Sequence, residues 1–306
     1  MSKKYSHVIV VGIDGAGSFI KDAKTPVFDQ IFKNGAVTYD ALASNPSISA
    51  ECWGSMLLGV GPEVHGLTNQ VVSENPYPTN SHFPTLFRRI KEAYPEATLG
   101  AYCNWSRINT GIVENNLEVS HETGGDDALT PVICDYIRNQ KPDFLFIQFD
   151  SVDSAGHRNG YGTPAHLQRI SEVDALVGDI YNATKEAGIL EDTLFIVIAD
   201  HGGTPPDEGG RGHHGGWSVG ERYVTFAATG RGVAKGTVAE MNVRDLAAIV
   251  LYAFDIQTPE FCEKGWTSQV PEGIFADDSL PAYRDISHLT GAAPRVSKEP
   301  HTSELV

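Results

Sequence analysis

The stretch LFIVIADHGG, Leu194 to Gly203, reads as a buried strand that stops on two polar residues and a pair of glycines. Its apolar residues run without the polar alternation of a half-solvated strand, so it belongs in a sheet covered on both faces. The same syntax recurs along the chain. Val8–Ile13 runs into Asp14-Gly15, Phe144–Phe149 runs into Asp150 and on to Asp153 and His157, and Tyr223–Ala227 follows a loop holding His213-His214-Gly215-Gly216. Helical patterns lie between these runs, at Phe83–Tyr94, Asp126–Asn139 and Pro164–Ala187. The last has Thr163 as its cap, Pro164 in the first turn and Gly188 past its end. This alternation predicts an α/β fold with a mostly parallel central sheet sandwiched by helices. No repeat or linker divides the chain, so residues 1–287 are expected to form a single domain and 288–306 a polar C-terminal tail.

Composition narrows the function. The 306 residues carry 23 Lys plus Arg against 39 Asp plus Glu, a formal charge of −16. Such a surface repels polyanions, which argues against nucleic-acid polymers and anionic membranes as partners. The cysteines Cys52, Cys103, Cys134 and Cys262 form no CxxC pair and are too sparse for a disulfide framework. The N-terminal apolar run breaks at Asp14, too short for a signal h-region, and no run is long enough to span a membrane. A soluble cytoplasmic protein is expected.

In open α/β sheets, sites form where strand ends meet the following loops. Here each such end offers Asp or His: Asp14, Asp153 with His157, Asp200-His201, and His214 in the loop before Tyr223. Carboxylate and imidazole together suit Zn²⁺ or Mn²⁺. Any one of these residues alone reads as a turn former or cap; their recurrence on successive strand ends is what points to metal. A dinucleotide loop at Val8–Gly17 is excluded, because the order is G-x-x-G-x-G and Asp14 would repel a pyrophosphate. A nucleophile is offered by Ser49, at the start of a helix expected to run to Leu58, where amide groups and the helix dipole favour an anion. Ser47, its neighbour, reads as a dispensable cap. No G-x-S-x-G elbow is present, so this serine would need metal activation.

The segment Pro46 to Gly66, with Ser49, Gly59, Pro62, Glu63, His65 and Gly66, resembles the nucleophile region of nucleotide pyrophosphatase/phosphodiesterases, the type I phosphodiesterase branch of the alkaline phosphatase superfamily. Asp153-Ser-Ala-Gly-His157, Asp200-His201-Gly202, His214-Gly215 and Asp14-Gly15 resemble that family's metal motifs, in the expected order. The resemblance implies an alkaline-phosphatase-like fold and two Zn²⁺ ions, or Mn²⁺ in their place. One would be held by Asp153, His157 and His214, the other by Asp14, Asp200 and His201 with Ser49. Cys52 stands where the family's Phe-Pro-Asn places an Asn that helps hold a phosphate oxygen, and Asn104 is the candidate substitute.

The expected activity is metal-dependent hydrolysis of phosphodiester or pyrophosphate bonds in a small phosphate-ester substrate, through a phosphoseryl intermediate on Ser49. Competing readings on the same site are a phosphomonoesterase, a phosphonate hydrolase or a phosphotransferase. From another class comes a metal-binding interaction protein without catalysis. A sulfatase is disfavoured because no Cys/Ser-x-Pro-x-Arg cluster surrounds Ser49. Diesters are expected over monoesters, since the neighbours of Ser49 include Glu51 and no cation, while Arg107 and Arg211 sit on distant loops.

Overall fold

The structure is a computed structural model that describes residues 3–277, 279–286, 288, 289 and 291. Its strands are β1 (His7–Ile13), β2 (Ala36–Leu42), β3 (Leu99–Cys103), β4 (Ser120–Glu122), β5 (Phe144–Phe149), β6 (Thr193–Ala199), β7 (Tyr223–Thr229) and β8 (Gly236–Thr237). The helices are α1 (Pro26–Phe32), α2 (Ser49–Leu58), α3 (Pro62–His65), α4 (Asn69–Glu74), α5 (Leu86–Ala93), α6 (Asp126–Gln140), α7 (Ser151–Asn159), α8 (Pro164–Glu186), α9 (Val219–Arg222) and α10 (Leu246–Ala253).

All eight strands join one sheet in the order β4-β3-β5-β1-β6-β7-β2-β8. β1 lies inside it, parallel to β5 on one side and to β6 on the other. The sheet is mostly parallel, as the strand–helix alternation predicts, with β7 running antiparallel to both β6 and β2. The antiparallel strand matters for function. Because β7 starts at the edge where β6 ends, the loop between them stays beside the carboxyl ends of β1, β5 and β6.

The apolar strands and the long helix fall where the sequence places them, and Thr163 caps α8 by accepting from the His166 N–H. Two internal strands escape the apolar-run criterion. β2 is interrupted by Thr38 and Asp40 and changes register between Thr38 and Ala41, and β3 is short and includes Gly100. Neither forms a long β-branched run, so their pairing is decided by tertiary packing.

Helix α2 has no polar face: every residue from Ser49 to Leu58 is buried. Its Trp53 lies across Gly12 of β1, where an added Cβ would come within 2.5 Å of the indole. At its far end Gly59, in the left-handed conformation at φ 73°, receives Trp266, whose ring leaves no room for a side chain. The nucleophile helix is thus wedged between the central strand and the C-terminal part of the fold.

Beyond the strands, Arg244 is fully buried and satisfied by Thr267 Oγ1 (2.8 Å), the Gly291 carbonyl (3.0 Å) and Asn242 Oδ1 (3.2 Å). The Gly291 carbonyl also accepts from the Asn45 N–H at 2.9 Å. Of the expected polar tail, only His288, Leu289 and Gly291 are described, and Gly291 is buried against this body. The remaining residues of 288–306 lie outside the described residues. Among the described residues, no helix is long and apolar enough to cross a membrane.

The contact between Gly12 and Trp53 gives a direct test of this wedge. Gly12→Ala should lower unfolding free energy by about 1–3 kcal/mol through overpacking, measured by denaturant titration. An unchanged midpoint would show that Trp53 is free to move aside.

Candidate active site

The sheet brings together the strand-end residues singled out by the sequence, and each is anchored through one of its polar atoms. Asp200 Oδ1 accepts from two backbone amides, His201 N–H at 2.7 Å and Gly15 N–H at 3.0 Å. Its Oδ2 is buried without a hydrogen-bond partner. Asp14 repeats the arrangement with side chains. Its Oδ2 accepts from Trp53 Nε1 (3.0 Å) and Gln148 Nε2 (2.9 Å), and its Oδ1 is left bare. Both bare oxygens face His201 Nε2, at 3.4 Å from Asp14 and 3.3 Å from Asp200.

The histidines show a matching order. His201 Nδ1 donates to the Gly202 carbonyl (2.9 Å), His157 Nδ1 to Gly212 (3.1 Å) and His214 Nδ1 to Ser47 (2.9 Å). A proton on each Nδ1 leaves Nε2 as a lone pair aimed inward. His157 and His214 then meet Nε2 to Nε2 at 3.2 Å, and the His201 and His214 rings stack at 3.9 Å. Asp153 Oδ2 lies 3.2 Å from His157 Nε2.

Charges follow this geometry. Burial, then the Asp200 charge, holds Asp14 well above the usual carboxylate range. Burial pushes Asp200 up to about 8. His214 is lowered to about 4 by burial and then by His201, and burial likewise lowers His201. Asp153 is the exception: burial opposes its ionisation, but the His157 hydrogen bond and the nearby imidazoles outweigh that and hold it below the usual range. The hydrogen bond to Asp153 raises His157.

Lone pairs on buried carboxylates and imidazoles that face one another with nothing between them repel, and burial removes the water that would screen them. A divalent cation reverses the sign of every one of these contacts. Asp14, Asp200 and His201 form one group whose ligand atoms lie within 4.8 Å of one another, and Asp153, His201 and His214 form a second. The residues present therefore fit metal ions. His201 belongs to both compact groups, while His157 Nε2 lies beside the second, 3.2 Å from Asp153 Oδ2 and 3.2 Å from His214 Nε2.

Ser49 sits at the first residue of α2, after Ile48 in the cap position, and its side chain does not cap the helix. Its hydroxyl donates to His201 Nε2 at 3.2 Å. Ser47 is fully buried and lies before the cap position of α2, which is Ile48. Its Oγ accepts from the Gly215 N–H (3.1 Å) and its carbonyl holds His214, tying the histidine loop to the nucleophile segment. His213 lies outside, exposed and paired with Asp207 at 3.0 Å.

The proposed phosphate contacts fare differently. Cys52 is fully buried inside α2, its thiol pushed well above its ordinary value by burial and then by Asp200, and it does not reach the mouth of the site. Asn104 commits its Nδ2 to Asp126 Oδ1 at 2.6 Å. Asp126 in turn holds the Asp150 and Ser151 amides at the start of α7, so this asparagine braces a helix. The residue that sequence reasoning missed is Asn69, exposed at the start of α4. Its Oδ1 accepts from the Ala50 N–H at 3.0 Å, at the residue that follows Ser49. The signal was the Gly61–Gly66 turn, which reverses the chain and returns it to the helix start.

An α/β sheet whose strand ends carry carboxylates and imidazoles around a helix-borne serine defines the alkaline phosphatase superfamily. Within it, the profile of the type I phosphodiesterase / nucleotide pyrophosphatase family matches residues 8–245, and the chain belongs to that family of phosphoester-acting enzymes. It is 24% identical over 228 residues to GPI ethanolamine phosphate transferase 2 of Aspergillus fumigatus, covering 72% of this chain and 29% of that one. The chain thus spans under a third of the length of the curated relatives it matches. Among solved structures it resembles murine ectonucleotide pyrophosphatase / phosphodiesterase 5 in complex with AMP, with a TM-score of 0.70, 16% identity, and coverage of 87% of this chain and 100% of that one. The lipoteichoic acid synthase LtaP from Listeria monocytogenes gives a TM-score of 0.64 at 12% identity, covering 88% and 75%. These likenesses concern the fold.

Metal occupancy should depend on pH with a definite sign. Asp14, Asp200 and His157 all hold protons more tightly than usual, and a metal must displace them. The rise in Tm that zinc gives to chelator-stripped protein should therefore grow from pH 5.5 to pH 7.5 (about two units spanning the titrations). A gain that is flat or shrinks with pH would contradict this ligand set.

Proposed function

We propose that the protein is a metal-dependent phosphodiesterase acting through Ser49 at a two-zinc site. The observation that carries the reading is the bare oxygen on each of Asp14 and Asp200, both facing the nitrogen to which Ser49 donates. Asp14, Asp200, His201 and Ser49 would hold one ion, and Asp153, His157 and His214 the other. When bound, such ions lower the pKa of a coordinated hydroxyl and stabilise the oxygens entering and leaving phosphorus.

The chain's own residues supply the rest. Ser49 Oγ attacks phosphorus, forming an O–P bond as the bond to the leaving alkoxide breaks. Position does much of this work, because Ser49 starts a helix that has no freedom to turn. The amides at the start of α2 that have no partner, with the Asn69 amide group that anchors Ala50 N–H, would hold a non-bridging phosphate oxygen. Water then cleaves the phosphoseryl ester and restores the hydroxyl.

A second reading is favoured by the curated relatives, which are transferases. An alcohol in place of water would pass the phosphoryl group on, and the same serine would serve. Phosphoryl transfer to an added alcohol, measured against release of free product, discriminates the two.

Ser49→Ala is expected to lower kcat/KM by about a thousandfold or more while leaving two zinc ions bound, whereas Asn69→Ala should cost about 10²-fold and spare metal content. Full activity in Ser49→Ala would end the covalent mechanism. Zinc analysis alongside the kinetics separates loss of nucleophile from loss of the site.

Diesters should turn over better than monoesters. Glu51, two residues from Ser49, is buried with its carboxyl raised by that burial, and Arg211 is exposed on the loop between β6 and β7. Among the described residues, no bidentate cation is built beside Ser49 for the extra charge of a monoester. The expected result is a higher kcat/KM for bis-(4-nitrophenyl) phosphate than for 4-nitrophenyl phosphate; the reverse order would require Arg107 or Arg211 to enter the site.

A further inference from the structure

Two of the three carboxylates in the site share one design. Donors saturate one oxygen of Asp200 and one oxygen of Asp14, and the other oxygen is turned toward an imidazole nitrogen. Asp153 follows the same rule with a single donor. The Tyr161 hydroxyl donates to Asp153 Oδ1 at 2.6 Å, and Asp153 Oδ2 lies 3.2 Å from His157 Nε2. We propose that Tyr161 is a positioning residue that fixes Asp153 as a one-oxygen ligand for the metal shared with His157 and His214. This rests on the two-metal reading above.

The fold invests in that tyrosine. Tyr161 is 2% exposed, and its backbone N–H donates to the Thr204 carbonyl at 2.9 Å. Its ring fills a slot walled by glycines on three segments. A Cβ at Gly156, Gly203 or Gly212 would come within 2.4, 2.3 and 2.5 Å of it. The slot also sets the ring edge-on to His157 and His214, with centroids at 5.9 and 6.4 Å. Buried and next to the Asp153 charge, the phenol is pushed well above its ordinary value and stays a donor. Packing alone would be served by phenylalanine; the hydroxyl has one partner, Asp153 Oδ1, and one geometric effect, which is to choose the oxygen left for metal.

The test is Tyr161→Phe in the full-length chain, stripped of metal and titrated with ZnCl₂ against a chromophoric chelator. Wild type should bind two equivalents. The variant should keep one site unchanged and weaken the other by about tenfold or more, with the melting point of the stripped protein unaltered. Equal constants in the two proteins would overturn the proposal, as would equal weakening at both sites. Introduced into Asp153→Ala, the same change should do nothing further, and any added loss there would assign Tyr161 to packing. Wild type that takes up no zinc would instead strike the two-metal reading itself, so the two failures are distinguishable.

Discussion

Carboxylate oxygens and imidazole nitrogens crowded together in a buried site impose the main constraint on this molecule. Asp14 Oδ1 and Asp200 Oδ2 lie 3.4 and 3.3 Å from His201 Nε2, and His157 and His214 meet nitrogen to nitrogen at 3.2 Å. Left to themselves these groups would separate or take up protons. They are held because each is anchored through its other atom to something that cannot move: a backbone carbonyl behind each histidine, backbone amides behind Asp200, and Trp53 with Gln148 behind Asp14. Gln148 is the only polar residue of β5, and its place on that strand, opposite Gly12, lets it brace Asp14 at the end of β1. The parallel sheet is the device that brings three such strand ends to one edge, and the antiparallel β7 returns His214 to it.

The nucleophile is fixed by similar means. A ten-residue helix with no exposed face cannot roll, and α2 is held at one end by Asn69 and at the other by Trp266 against Gly59. A hydroxyl that needs no reorganisation to meet phosphorus is what electrostatic catalysis requires. This also makes the helix intolerant of core changes far from Ser49.

How much of this could be read beforehand follows from where each signal resides. Asp14, Asp153, His157, Asp200, His201 and His214 were legible because strand ends are written as apolar runs that stop on polar residues. The fold was legible for the same reason. β2 and β3 were not, since a strand interrupted by Thr38 and Asp40, or shortened around Gly100, is specified by its neighbours. Ser47 and Asn69 were hidden because their roles depend on backbone partners supplied by distant segments, Gly215 and Ala50. The burial of Cys52 was not legible in the motif, because a helix enclosed on every side carries no polar–apolar stripe to show which residues reach solvent. The bond from the Tyr161 hydroxyl to one particular oxygen of Asp153 leaves no mark on the sequence pattern, because it depends on how the ring packs.

The loop between β6 and β7 closes on itself before it reaches His214. The Thr204 N–H donates to the His213 carbonyl at 2.8 Å and the His213 N–H donates to the Thr204 hydroxyl oxygen at 3.0 Å, and Asp207 and Arg211 pinch the excursion again. Its two feet therefore stand together whatever lies between them. Evolution could exchange the span from Pro205 to Arg211, lengthen it, or graft a whole module there, and the strands would not need rethreading. Gly212, whose carbonyl steadies His157, marks the inner limit of that licence. The ligand-bearing feet and the outer span can thus change at different rates within one short segment of chain.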